Sequence, residues 1–463
     1  MACRQFPQGA RRRGRIHSAA RWAAQDRLLP VSDAPESARR PGSSLVRQVH
    51  GSHAAVGYIE LFFDLVFVFA ITQLSHGLLE HLNWVGALQT AMLFLAVWWA
   101  WIYTTWATNW IDPDHGGNRL FLGLVMVVSL ILSSAIPHAF AGAGLTFAVA
   151  YSTLQIGRSL YVSWVCGEWT RDDNWSLVRI TLWFVASAPL WLIGGLTADP
   201  AERMAWWAAA LTIESLGPIF FYWVPRLGRS TPDDWEIAGG HMAERCALFI
   251  IIALGEGVLI TGATFGKLEP TLPTILAFLT AFLGSFAMWW VYFDVGAKRG
   301  AEHIEHHEHP GIVGRDAFTY WHIPIVAGVI LIAVADELTL AHPLEPVHGD
   351  FLLVTAGGMA LFLGGTMTFK RITSRNAWFP PSHTAGLLLA TALVVWGWLT
   401  HPPTLLFYAG STLTFAFVAL WEWGSYHGGW IERMERRGWW LGRLLRRYTN
   451  WRLAGMGRPR RPQ

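Results

Sequence analysis

The chain has 463 residues, 53% of them hydrophobic and 14% charged, with a formal net charge of +3. A soluble domain is nearer a quarter charged, and so small a net charge gives no ground for nucleic-acid binding. Three cysteines without a CxxC pair exclude a disulfide framework and a cysteine zinc site, so Cys246 reads as a small buried hydrophobe.

Residues 1–50 are rich in Arg, Ala, Ser and Pro and contain no long apolar stretch, so they are expected to form a disordered cytoplasmic arm. A signal peptide needs an apolar core of roughly 7–15 residues, and none precedes Val56. From Tyr58 onward, twelve apolar segments of about 17–25 residues follow one another, the length a helix needs to cross a bilayer. They lie near 58–80, 84–107, 119–139, 143–165, 177–196, 203–224, 242–263, 271–294, 318–338, 350–370, 383–400 and 404–422. The 28 tryptophans are expected mainly at the membrane boundaries.

With the N-terminus inside, the inner connections hold Arg119, Arg171, Arg226, Arg229, Lys298, Arg299, Arg315, Lys370, Arg371 and Arg375, and the tail from Arg433 adds more. The outer connections hold little besides Arg203 and Lys267. Positive residues collect on the cytoplasmic side, so both termini are expected there.

A repeat is also legible. Glu60 opens the first span and Glu244 the seventh; Trp98-Trp99 ends the second and Trp289-Trp290 the eighth; Arg119 opens the third and Arg315 the ninth. The expected fold is all-α and polytopic, with about twelve transmembrane helices as two parallel six-helix repeats, 51–230 and 231–430, followed by a basic cytoplasmic tail, 431–463.

Ionisable residues inside such spans are costly and are therefore candidates for function. Glu60 and Asp64 are four apart, on one helix face and about one 5.4 Å turn from each other. The plainer role for Glu60 is to cap its helix N-terminus. Glu244 and Arg245 are adjacent and cannot meet on one helix, so Arg245 is expected to pair with Glu60 or Asp64 on another. Glu256 lies twelve residues further, roughly 18 Å deeper, between Gly255 and Gly257, which permit close helix approach. The plainer reading of Glu256 is a neutral acid bonded to a neighbouring helix. Asp294 ends span eight and His322 begins span nine; Arg158 lies deep in span four and Glu214 midway along span six. In this topology Glu214 and Glu256 fall near the midplane and the others in the cytoplasmic half. Together they suit a network that carries protons or coordinates a cation; for His322 the plainer role is a helix-to-helix hydrogen bond.

The loop from Glu302 to His309 holds His303, His306 and His307 at i, i+3, i+4, one helix face that could bind a metal. His-x-x-His-His is also one element of membrane di-iron desaturases, which need several such boxes on one side of the membrane. No second box occurs, His76 and His81 fall on the opposite side, and a solvated polar loop is the plainer reading. No Walker A sequence and no dinucleotide fingerprint follows a strand, and the sequence identifies no cofactor.

The run Glu60-Leu-Phe-Phe-Asp-Leu-Val-Phe-Val-Phe-Ala, then Trp98-Trp99, Glu244-Arg245, Leu254-Gly-Glu256, Tyr292-Phe-Asp294 and His322-Ile-Pro324, resembles the bacterial low temperature requirement protein A family over roughly residues 50–430. That resemblance implies a multi-pass protein of a bacterial inner membrane; the family is named for a need for growth in the cold and has no settled molecular activity. The Arg-rich arm and the His cluster depart from its pattern.

Three functions are therefore expected. The first is a transporter or permease for an ion or small solute, in one form proton-coupled. The second is a membrane-embedded enzyme on a lipid or quinone-like substrate, its acids converging in a pocket reached from lipid. The third is a non-catalytic scaffold or sensor whose carboxylates only hold helices together. The expected partners are the lipid bilayer and an unidentified solute or ion, with a second copy of the chain as an open case.

Overall fold

The computed structural model describes residues 45–47, 56–168, 175–374, 378–427 and 434–454. Almost all of the arm expected over 1–50 lies outside the described residues, as do Arg171, Arg375 and Arg433, used above for orientation. Among the described residues the fold is all helical, with only isolated β-bridges. In hydrocarbon each peptide N–H and C=O must be satisfied within its own segment, which a helix achieves.

The helices are α1 (Tyr58–Glu80), α2 (Trp84–Trp110), α3 (Gly116–Ala135), α4 (Gly144–Val165), α5 (Ser176–Leu196), α6 (Pro200–Ile219), α7 (Gly239–Phe265), α8 (Leu272–Val291), α9 (Ala297–Glu305), α10 (Pro310–Val313), α11 (His322–Ala341), α12 (Gly349–Ile372), α13 (Pro381–Thr400), α14 (Thr404–His427) and α15 (Trp440–Ala454). The described residues contain ten helices long and apolar enough to cross a membrane. The chain is thus a multi-pass membrane protein. α4 and α6 have similar length, 22 and 20 residues, but are less apolar and carry Arg158 and Glu214.

Starts and breaks follow local chemistry. Asn83 accepts from the Val85 and Gly86 amides at the head of α2, and Asp199 accepts from Ala201 ahead of Pro200 at the head of α6. The sixth span ends at Ile219, short of the expected 224, because Phe221 and Tyr222 turn into the left-handed region at φ 53° and 50°. Two π-helical turns, Tyr292–Gly296 and Gly314–Tyr320, make α8–α9 and α10–α11 continuous rods with one widened stretch each. Such turns often mark functional positions; here the first holds Asp294 and the second ends two residues before His322.

Packing is tightest between α11 and α12. A Cβ on Gly328 would fall 2.6 Å from the Phe362 amide nitrogen, so only glycine allows the two backbones this approach.

The tryptophans are not confined to boundaries. Trp98, Trp99, Trp101, Trp191 and Trp207 are among the largest fully buried side chains. Each indole N–H finds an acceptor, as burial requires: Trp98 the Thr319 carbonyl, Trp99 the Ser215 hydroxyl, Trp101 Asp64, Trp191 Glu214, and Trp207 the Trp191 carbonyl. Arg203 is equally committed. Its guanidinium donates to the carbonyls of Ala139, Ala141, Gly194 and Thr197, tying α6 to the end of α5.

Candidate functional site

The segment before α1 is pinned to the end of α2. Arg47 donates its amide to the Trp110 carbonyl, and Asn118 donates to the Leu45 carbonyl. This carries Arg47 to the head of α1, 3.5 Å from Glu60. Burial pushes the Arg47 guanidinium below its ordinary value, and the nearby Glu60 carboxylate opposes that shift. Glu60 caps α1 by accepting from the Gly57 amide at 2.9 Å, and it also accepts from His241 Nε2 on α7 at 2.9 and 3.1 Å. Its capping role and its helix-to-helix role are thus combined in one side chain.

One turn along, Asp64 Oδ1 accepts from Arg245 of α7 at 2.8 Å and from the Trp101 indole of α2 at 2.8 Å. Of the two partners expected for Arg245, the structure selects Asp64. Both side chains are wholly buried, and the guanidinium lies over the rings of Phe63 and Trp101. Asp64 Oδ2, Arg245 Nε and one Arg245 terminal nitrogen, and His241 Nδ1 have no hydrogen-bond partner among the described residues. Further along, Thr72 donates to Glu256 Oε1 at 2.5 Å. The α1–α7 seam therefore joins polar groups at three depths. Since Glu60, Asp64 and Thr72 meet His241, Arg245 and Glu256 in the same order, the two helices run parallel. Between the second and third pairs in sequence come Phe67 on α1 and Phe249 on α7, both buried, the latter with its ring against Trp98 and Trp101 of α2. Past Thr72, and off the seam, a cavity of about 210 Å³ lies between α1, α2 and the turn after α3, lined by Gln73, His81, Gln89 and Thr90 among others and by no residue of α7.

The other expected residues divide into separate places. Glu244 is exposed and faces away from the seam, as its adjacency to Arg245 demands. His322 is fully buried; Nδ1 donates to the Ala317 carbonyl at 2.9 Å, so a neutral ring accepts the Tyr292 hydroxyl on Nε2 at 2.7 Å. It is a helix-to-helix link between the two π turns. Asp294 is half-buried in the first of these turns. Arg158 and Glu214 form a second network within α2, α4, α5 and α6. Arg158 donates to Gln155 Oε1, to the Ala100 carbonyl at 3.2 Å and to Thr104 at 3.4 Å. Gln155 donates to Tyr151, which donates to Glu214 at 2.5 Å; Ser187 and Trp191 also donate to Glu214, at 2.6 and 2.9 Å.

The expected metal face does not form. α9 stops at Glu305, so His306 and His307 leave the helix and lose the i, i+3, i+4 alignment. His303 and His307 have ring centroids 5.2 Å apart, but His306 turns back to the Glu302 carbonyl. Among the described residues no group of three His, Cys, Asp or Glu is placed to hold a metal ion.

Several groups at these sites were not among the expected residues. Asp336 of α11 accepts from the Tyr408 hydroxyl at 2.5 Å, both buried. Glu422 of α14 pairs with Lys370 at 2.5 Å and accepts from Ser382 at 3.2 Å. Asp336 carries the same signal as Glu256, an acid inside an apolar run. His241, Thr72, Tyr151 and Gln155 carry no hydropathy signal that separates them from ordinary helix residues.

Over residues 55–420 the chain matches the family described as bacterial low temperature requirement A protein. An uncharacterized protein of Rhizobium meliloti (strain 1021) is 40% identical over 382 residues, covering 81% of this chain and 91% of that relative. No solved structure matches. With the family matched across most of its length and a relative this similar, the chain belongs to the bacterial low temperature requirement A family.

Proposed function

We propose that the protein is a permease for an ion or small solute, operated through the α1–α7 seam, with Glu256 as the proton- or cation-binding carboxylate. One observation carries this reading: polar pairs join α1 to α7 at three depths, Glu60–His241, Asp64–Arg245 and Thr72–Glu256. Charge at membrane depth is costly and tends to mark ion and proton pathways. The 210 Å³ cavity between α1 and α2, which begins at Gln73 next to Thr72, would be one mouth of the path, and the buried Phe67 and Phe249 would be its closed gate. Asp294 and His322 would stand beside the path at the widened turns, and Glu244 would stay outside it.

In this reading twelve spans form two six-helix halves of one orientation, with both termini in the cytoplasm of a bacterial cell and the chain in its inner membrane. The parallel course of α1 and α7 supports it. So do the helix neighbours, which repeat: α1 packs on α2 and α3, α3 on α4, α4 on α5 and α5 on α6, while α7 packs on α8 and α11, α11 on α12, α12 on α13 and α13 on α14. A scaffold reading draws support from the close Asp64–Arg245 pair, which would bind the halves whether or not anything passes between them.

Glu256→Gln separates the two. In proteoliposomes, after insertion and yield are matched to wild type, proton and cation flux is expected to fall to background. Unchanged flux across a broad ion and solute panel would remove the permease reading. Loss of folded yield, with flux per folded molecule preserved, would favour the scaffold.

A further inference from the structure

The last described helix, α15, is built unlike the spans. It has 15 residues, short of the roughly 20 that a crossing helix needs, and it lies beyond residue 420, where the family match ends. Its two faces differ. Trp440, Leu444, Tyr448 and Trp451 recur at i, i+4, i+8 and i+11, one stripe of the helix, with Leu441 and Leu445 beside it. Trp440, Leu444 and Trp451 are each more than half exposed, so protein leaves most of this stripe uncovered. Arg443, Arg446 and Asn450 form the polar stripe, and Arg447 stands at the border between the two.

A turn sets where α15 begins. Gly438 takes φ 74°, and the Gly438 and Trp439 amides donate to the Glu435 and Met434 carbonyls at 2.9 and 3.0 Å. Arg446 pairs with Glu435 at 2.6 Å. A Cβ on Gly442 would fall 2.6 Å from the Glu435 amide nitrogen, so the helix lies close against the residues before the turn. Towards its other end, Tyr448 and Trp451 meet the bundle. They line a cleft of about 40 Å³ with Arg299 of α9, Lys370 at the end of α12, Trp378 before α13 and Tyr426 at the end of α14. Spans enter and leave the membrane at these points, all on one side, so α15 lies at headgroup level there. The exposed Trp378 and Phe379 are side chains that favour this level.

We infer that α15 lies in the membrane interface and binds anionic phospholipid, its tryptophan–leucine stripe among the acyl chains and its arginines on the phosphates. Charge complementarity selects the lipid. After Glu435 the chain holds nine arginines and no acidic residue. Among the described ones, Arg436, Arg437, Arg443 and Arg447 are exposed. A basic helix with an apolar stripe suits an anionic bilayer surface, and guanidinium matches phosphate in shape and charge. A nucleic acid would satisfy the arginines but leave the stripe in water. The inference stands on α15 and its cleft, and does not depend on conduction through the α1–α7 seam.

The test is hydrogen exchange of the full chain in nanodiscs, read by mass spectrometry on peptides covering 440–454. Discs of phosphatidylcholine are compared with discs in which part of that lipid is replaced by phosphatidylglycerol. Exchange over α15 is expected to be about tenfold slower with phosphatidylglycerol, and high salt is expected to remove the difference. Arg443→Gln together with Arg447→Gln is expected to lose most of the difference between the two lipids. Trp440→Ser together with Leu444→Ser is expected to speed exchange of α15 in both. All four positions are exposed, so the bundle is expected to stay folded, and unchanged exchange in α11 and α12 checks this. Equal exchange of α15 in the two lipids would overturn the inference. So would a lipid difference undiminished in the arginine variant, or one spread equally through α11 and α12.

Discussion

The two buried polar regions handle charge differently. On the α1–α7 seam, Asp64 and Arg245 touch, and the pair joins helices far apart in sequence. In the α2–α4–α5–α6 network, Arg158 and Glu214 do not touch; two neutral side chains, Gln155 and Tyr151, stand between them. Contact pairing makes each ion the principal compensation of the other, so loss of one leaves a bare charge in a dry place. Relay pairing spreads the compensation over amides, hydroxyls and indoles, and makes the neutral links as important as the ions.

Three single substitutions and one rescuing substitution test that contrast, in order of expected effect. Arg245→Met should be the most damaging, at about 3–5 kcal/mol, because it strands Asp64 in the core. Adding Asp64→Leu should recover much of the loss, and a thermal-melt double-mutant cycle in detergent measures the coupling. Failure of the second change to rescue the first would mean that the pair is not the unit described here. Tyr151→Phe should cost less, about 1–3 kcal/mol, since it removes one donor to Glu214 while Ser187 and Trp191 remain. A loss as large as that of Arg245→Met would erase the distinction between contact and relay. Glu244→Gln should leave the melting temperature and folded yield unchanged, because this carboxylate faces outward beside its buried neighbour; a clear loss would mean that Glu244 has an inward role.

The helix layout was legible because apolar length is a strong signal: each of the twelve segments read from hydropathy falls on a helix of 20 or more residues among the described residues, ten of them apolar enough to count as spans. Where the ends differ most, the causes are local. Span six stops early at a left-handed turn, and span nine begins beyond a π turn, neither of which hydropathy records. The opposite orientations of Glu244 and Arg245 were implicit in their adjacency. The division of the acidic and basic residues into separate networks was not, because it depends on which helices touch. Arg47 was hidden for another reason: it precedes the first span, in a stretch that composition assigns to the arm, yet backbone bonds to α2 bring it to Glu60. The role of Trp101 as an Asp64 donor was unseen, because tryptophan abundance points first to the membrane boundary.

The spacing of the seam contacts restricts how the two helices can move. Glu60 meets His241 and Asp64 meets Arg245 at the same separation, 181 residues, and Thr72 meets Glu256 at 184. Sliding α7 along α1 by even one turn would therefore unseat all of these contacts together, like a zip forced out of step. Hinging apart from one end would release them one after another. Any working motion across this boundary is accordingly cheaper as a tilt than as a glide, with the teeth at one end still engaged while those at the other are open.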